Sequence, residues 1–407
     1  MKIIRSNSPK LEKICARSIG KSRRVEERVR EIIDSVRQFG DEAVIKYTRK
    51  FDGVKLTAKQ LRVSENEISG AYQSITQDFI SSLKVIIENI NRFYGKTIKK
   101  SWRIKDGSGL VLGENYQPIE KVGVYIPAGT APLVSTVYMT VLPAKIAGVK
   151  KIVLLSPPDK NGQINPHILV VANLLKVDEI YRVGGAQGIA ALAYGTKTIP
   201  KVDKIVGPGN VYVSEAKRQV FGYVDIDMIA GPTELVIIAN RFSEPKFIIA
   251  DLKAQAEHAG GLAILITDSK KLAKFIKSQV DINGFVILTK NIQQAVDIAN
   301  RIAPEHLEIL VKSPQRLIKG IKNAGAIFLG PFSPTAVGDY VAGPSHVLPT
   351  NGTARFFSGL SVMDFVKSSH IISYSRKALE KIREPLEKVA AIEGLGEHLD
   401  SVKVRFE

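Results

Sequence analysis

The chain has 407 residues, enough for two to four folding units, and its 44% apolar content excludes wholesale disorder. A single cysteine, Cys15, excludes an intrachain disulfide and a thiolate metal cluster, and no apolar run approaches the roughly 18–20 residues of a membrane helix. The net charge of +18 raises the question of nucleic acid, but the basic residues are scattered in short groups and the aromatics, at 7%, do not interleave with them, so neither a nucleic-acid nor a membrane partner is expected.

Met1-Lys2-Ile3-Ile4-Arg5 leads into charge rather than a secretory apolar stretch, and the expected setting is reducing and cytoplasmic. Val25, Val29, Ile32 and Val36 form one helical stripe that Gly40 stops, and Asp41 caps a second helix running towards Phe51. Residues 101–120 read as hairpins. From Lys121 strands and helices alternate, with strands at 122–126, 151–155, 179–183 and 204–206 and helices at 135–147, 166–175, 187–194 and 211–220. A second run places strands at 235–239, 263–267, 285–289, 307–311 and 326–329. Continuous apolar strands between helices mean parallel sheets covered on both faces. The expected fold class is α/β, with two doubly wound, largely parallel, Rossmann-like units plus small N-terminal and C-terminal helical or tail segments. No sequence repeat relates the two units. Residues 330–352 are loop-rich, and a helix near 376–389 leads into a polar tail.

Six histidines are present, and four lie in unusual company. Gln255 and His258 share a helix face that ends at Gly260-Gly261, a spacing that suits either a metal pair or an ordinary polar pair. Glu305-His306 follows Pro304. Neighbours in a strand point to opposite faces, but a loop could bring both into one cleft, where a carboxylate beside an imidazole activates water and accepts protons; the alternative is a loop histidine with a solvated Glu. Asp339 and His346 lie in a polar, glycine-bearing loop, Asp339 being a hard donor for a divalent metal. Glu393 and His398 lie in the tail, which could equally be a frayed terminus. His167 and His370 read as structural. Gly184-Gly185-Ala186-Gln187 and Gly207-Pro208-Gly209-Asn210 each join a strand to a helix, as anion-binding turns do, though tight turns alone would look the same.

Taken together these segments resemble the histidinol dehydrogenase family over nearly the whole chain. The most specific stretches are Gly207-Pro208-Gly209-Asn210 with Glu215-Ala216-Lys217-Arg218-Gln219-Val220, Gln255-Ala256-Glu257-His258, Asn300-Arg301-Ile302-Ala303-Pro304-Glu305-His306-Leu307, and Gly338-Asp339-Tyr340 with His346-Val347-Leu348-Pro349-Thr350. The resemblance implies Gln255, His258, Asp339 and His398 as zinc ligands, His398 coming from the other subunit of a homodimer whose C-terminal tails share the site. It implies Glu305 and His306 as the catalytic pair. It implies contacts to L-histidinol from Thr233, Gln255, His258, His306, Asp339, His346, Glu393 and His398, and contacts to NAD from Tyr125, Gln187 and Asn210. One Zn2+ per subunit and NAD are the implied cofactors, and the implied activity is oxidation of L-histidinol to L-histidine through the aldehyde, closing histidine biosynthesis. A zinc hydrolase on the same ligands is the alternative. The implied division is an arm at 1–20, a larger unit of 21–122 with 235–360 carrying the zinc and catalytic residues, an NAD-side unit at 123–234, and a dimerisation tail at 361–407. Thr233 stands where the family has Ser, Pro344-Ser345 where it has Thr-Asn, and Ala128 where it has a glycine that could take a positive φ.

Overall fold

The computed structural model describes residues 1–17, 22–128, 132–258 and 260–407. Gly129 beside Ala128, Ala259 beside His258, and residues 18–20 of the expected arm lie outside them. Among the described residues no helix is long and apolar enough to cross a membrane.

The apolar runs form two all-parallel sheets. The five-stranded one contains, in chain order, Lys121–Tyr125, Lys151–Leu155, Glu179–Tyr181, Lys204–Val206 and Asp225–Ile226. Across the sheet they lie third, second, first, fourth, fifth. The six-stranded sheet contains Glu234–Ala239, Leu262–Thr267, Gly284–Leu288, His306–Ile309 and Ala326–Leu329 in the same lateral order, with Lys2–Arg5 added outside the third strand. The two doubly wound units therefore repeat one topology that no sequence repeat discloses. Each sheet reverses its strand order beside its first strand, leaving a crevice there.

The outer segments depart from the sequence expectation. Lys2–Arg5 is a sheet strand rather than a loose arm, paired with Phe285–Leu288. Val29, Ile32, Val36, Val44 and Tyr47 of helices Arg23–Phe39 and Asp41–Asp52 enter one core with Leu155, Ile189 and Val213. They cover helices Gly185–Tyr194 and Val211–Val220 of the five-stranded unit, not the unit of 235–360. An amphipathic stripe announces a buried face without naming what buries it. The expected hairpin is present as Trp102–Lys105 and Val111–Pro118, and Val366–Ser373 from the expected tail adds a third antiparallel strand. Helices Arg376–Ile392 and Gly396–Lys403 then complete the chain.

Two buried polar arrangements fix the parts nearest the crevices. After Lys204–Val206 the chain turns at Gly207, whose φ of +111° and closeness to the Tyr125 carbonyl leave no room for a side chain. Lys217, 1% exposed, donates to the Gly207 carbonyl at 3.0 Å and pairs with Asp227, which accepts the Gly207 N–H at 2.8 Å. A desolvated ion pair thus holds both polar groups of the turn. In the other sheet Glu308 is fully buried on strand His306–Ile309, and its Oε1 accepts the Thr335 N–H at 2.9 Å. Its Oε2 has no ordinary donor, and what faces it is the Asp251 carboxyl of helix Pro245–Ala256. Two carboxyls bond only if one carries a proton. Burial first, and Asp251 second, push Glu308 up to about 8. Because this lies above the ordinary value of 4.5, the stability of the protonated pair is whole below pH 4.5 and is lost as pH rises to about 8. The loss is at most about 1.4 kcal/mol per pH unit. Melting curves of the unaltered chain and of Glu308→Gln, whose amide donates at every pH, should diverge through this window; parallel curves would remove the shared proton.

Candidate active site

Helix Ile292–Ile302 ends at Ala303, which adopts a left-handed backbone with φ of +50° and keeps its N–H bonded to Ala299 at 2.8 Å. Pro304 follows, and an α conformation before proline is disfavoured, so the chain reverses instead of extending the helix. Glu305 precedes the first strand residue, His306, and escapes strand alternation. Both side chains are buried and meet, with His306 Nδ1 3.6 Å from Glu305 Oε2.

Residue Glu234 of the neighbouring strand brackets the pair. Its N–H donates to Glu305 Oε2 at 2.9 Å, and its carbonyl lies 3.2 Å from His306 Nδ1. The Thr233 hydroxyl adds a 2.6 Å bond to Glu305 Oε2, so the replacement of Ser retains the donor. On the other side His306 Nε2 is 3.5 Å from Asp339 Oδ1. Asp339 stands on the short helix Thr335–Tyr340, inside the segment expected as loop. His346 Nδ1 lies 2.9 Å from the Asp339 carbonyl and its Nε2 3.3 Å from the Thr136 hydroxyl.

These contacts set the charges. Burial pushes the Glu305 carboxyl up, against the pull of His306, Thr233 and the Glu234 N–H. Burial disfavours charge on His306, but Glu305 and then Asp339 outweigh it and push the imidazole up to about 9. Burial would likewise raise Asp339, yet His306 holds it below the usual carboxylate range. His346 is pushed down by burial, which leaves a neutral ring whose Nδ1–H donates to Asp339 and whose Nε2 accepts from Thr136. A cavity of about 630 Å³ opens over His306, Asp339, His346, Phe328, Tyr94 and Leu360, a size suited to a small molecule.

The remaining expected residues divide. His258 is exposed just beyond helix Pro245–Ala256, close enough for its charge to act on Asp339 and His346. Gln255 is buried in the last turn of that helix, and its Nε2 has no hydrogen-bond partner. Glu393 and His398 are exposed, and the hydrogen bonds of their backbones stay within the tail. Among the described residues of one chain no three His, Cys, Asp or Glu groups converge as metal ligands. At the carboxyl edge of the five-stranded sheet, Tyr125 Oη accepts the Gly185 N–H at 3.1 Å. Gln187 is wholly buried with neither end of its amide partnered. Asn210 is exposed and caps helix Val211–Val220, its Oδ1 accepting from Tyr212 and Val213. Ala128 is not among the described non-glycine residues with positive φ, which are Lys176, Ala303 and Asn351.

Sequence reasoning missed Glu234 and Thr136. For Glu234 a sign existed: a charged residue opens a strand that is otherwise wholly apolar and is buried throughout. Thr136 offered none.

The sequence model of the family described as histidinol dehydrogenase matches residues 15–406. Histidinol dehydrogenase of Clostridium acetobutylicum is 49% identical, the match covering 93% of this chain and 91% of that one. Its counterpart in Bacillus cereus is 47% identical over 100% of this chain and 96% of its own. The crystal structure of histidinol dehydrogenase from Elizabethkingia anophelis superposes with a TM-score of 0.93 at 36% identity, covering 100% of this chain and 98% of that one. With sequence and fold agreeing end to end, the chain belongs to the histidinol dehydrogenase family of oxidoreductases.

Proposed function

We propose that this site oxidises L-histidinol to L-histidine through the aldehyde, in the cytoplasm, passing two hydrides to two molecules of NAD in turn. The pairing of Glu305 with His306 beneath the cavity carries this reading, because the second oxidation needs a base for water as well as a base for the alcohol. His306 Nε2 takes the alcohol proton as the first hydride leaves. Glu305 takes a proton from the water that adds to the aldehyde carbon. His306, once it has passed the first proton to solvent, takes the hydrate's proton as the second hydride leaves, and the product is a carboxylate. Thr233 and the Glu234 N–H hold Glu305 in place between these events.

The donor types suit a borderline divalent ion: the imidazoles of His258 and His398, the Asp339 carboxylate and the Oε1 end of the Gln255 amide. Gln255, His258 and Asp339, with His398 of the partner subunit, would hold one zinc per subunit of a homodimer. Zinc so held would orient and polarise the substrate's imidazole and amino nitrogens. Were Asp339 to serve as a ligand, its Oδ1 would no longer take the His306 Nε2 contact, and Nε2 would be open to the substrate, with Nδ1 still held by the Glu234 carbonyl and Glu305. Thr233, Gln255, His258, His306, Asp339, His346, Glu393 and His398 surround the substrate in this reading. Tyr125, Gln187 and Asn210 take NAD at the carboxyl edge of the five-stranded sheet, where the unpartnered Gln187 amide and the glycine turns support it.

Incubation with L-histidinol should reduce NAD, lose that activity with a chelator and regain it on adding Zn2+; turnover without NAD would favour a hydrolase instead. Glu305→Gln should keep the alcohol-to-aldehyde step while losing the second, and an equal loss of both would remove Glu305 from its role. Mixed dimers of His398→Ala and Gln255→Ala should recover activity that neither variant has alone, whereas mixed dimers that form and stay inactive would sink the shared site.

A further inference from the structure

Glu234 brackets the catalytic pair through its backbone, and its own side chain is held from the far end of the chain. The carboxylate is 2% exposed and receives a two-pronged contact from Arg17, Nη1 to Oε1 at 2.8 Å and Nη2 to Oε2 at 3.3 Å. Oε1 also accepts the Asn351 N–H at 3.0 Å. Arg17 is itself fixed, its Nε donating to the Ile14 carbonyl at 2.8 Å. The segment before it is tied down by several contacts. Strand Lys2–Arg5 lies in the six-stranded sheet, Glu12 takes both its oxygens to Arg301 at 2.7 Å, and Arg355 donates to the Cys15 carbonyl at 3.1 Å.

A buried charge pair is weak evidence for a stabilising role. Desolvating two ions often cancels their attraction, and an apolar pair of like shape would serve stability as well or better. What a bidentate guanidinium–carboxylate contact supplies is a fixed orientation. The group oriented is the residue whose N–H meets Glu305 at 2.9 Å and whose carbonyl meets His306 at 3.2 Å. We infer that Arg17 is a positioning residue for the oxidation, acting through Glu234 to set the backbone that aims Glu305 and His306. The N-terminal segment is then part of the catalytic apparatus although it touches no substrate. This role rests on those proposed for Glu305 and His306.

The test compares the full-length zinc-loaded enzyme with Arg17→Met, Arg17→Lys, Glu234→Gln and the double variant Arg17→Met/Glu234→Gln, reading kcat and KM for NAD reduction, bound zinc and melting temperature. Misplacing a catalytic group through a distant support costs up to about 100-fold in rate, so Arg17→Met should lose about 10- to 100-fold in kcat with both KM values and bound zinc nearly unchanged. Arg17→Lys keeps one prong and should lie between. The double variant should exceed Arg17→Met, because it also removes the buried carboxyl left without its partner, and should still fall below the unaltered enzyme. An unaltered kcat in Arg17→Met, or no gain from Arg17→Lys, would overturn the role. If Arg17→Met does not fold, the double variant decides: it leaves no buried charge, and full kcat in it would overturn the role equally. An unaltered enzyme that fails to reduce NAD with L-histidinol overturns the catalytic reading and this one together, whereas an active enzyme indifferent to Arg17 overturns this one alone.

Discussion

A wholly buried carboxylate is tolerable only where donors and a counter-charge replace the water it has lost. For Glu305 these are the Thr233 hydroxyl, the Glu234 N–H and the His306 ring. All three depend on the register of two parallel strands, in which His306 lies opposite Leu235, so that the residue just before each partner falls at the same level. Shift that register by one residue and Glu305 loses both donors while His306 turns to the other face. The remaining features, from Asp339 across the cavity to Arg17 behind the sheet, are arranged around this one level.

The glycine turns of one sheet and the Glu305–His306 pair of the other lie at opposite edges of their sheets. Sites in doubly wound folds usually lie beyond the carboxyl ends of the strands, and the glycine turns after Tyr181 and Val206 obey that rule. Glu305 and His306 lie instead at the amino ends of the other sheet, where the first N–H of a strand is not yet committed to the ladder. Glu234 spends that free N–H on a carboxylate. Thr136 and Tyr138, on the helix that follows the first strand of the five-stranded sheet, reach across to His346 and to the Tyr340 carbonyl.

Much of this was legible in the sequence. Parallel strands buried on both faces read as unbroken apolar runs, so both sheets and most of their helices fell where expected. That Glu305 and His306 could enter one cleft was an expectation from residue types beside a proline, with a loop histidine and a solvated Glu as the alternative, and the structure brings the two side chains together. What escaped was either weakly patterned or remote. Val366–Ser373 is polar and largely exposed and carries no strand periodicity. Helix Arg23–Phe39 announced its apolar stripe but not the five-stranded unit that covers it. Arg17 and Glu234 stand 217 positions apart, and no local pattern joins them.

Ala303 carries a further consequence. A left-handed backbone at a residue with a Cβ costs about 1–2 kcal/mol, and here it is accepted at a fully buried position just ahead of Glu305 and His306. Because the surrounding sheet and helix over-determine that bend, the chain enters the site already committed to one path. The directions in which Glu305 and His306 leave the bend are then set during folding, and the energy spent at Ala303 is held as rigidity at the start of this strand.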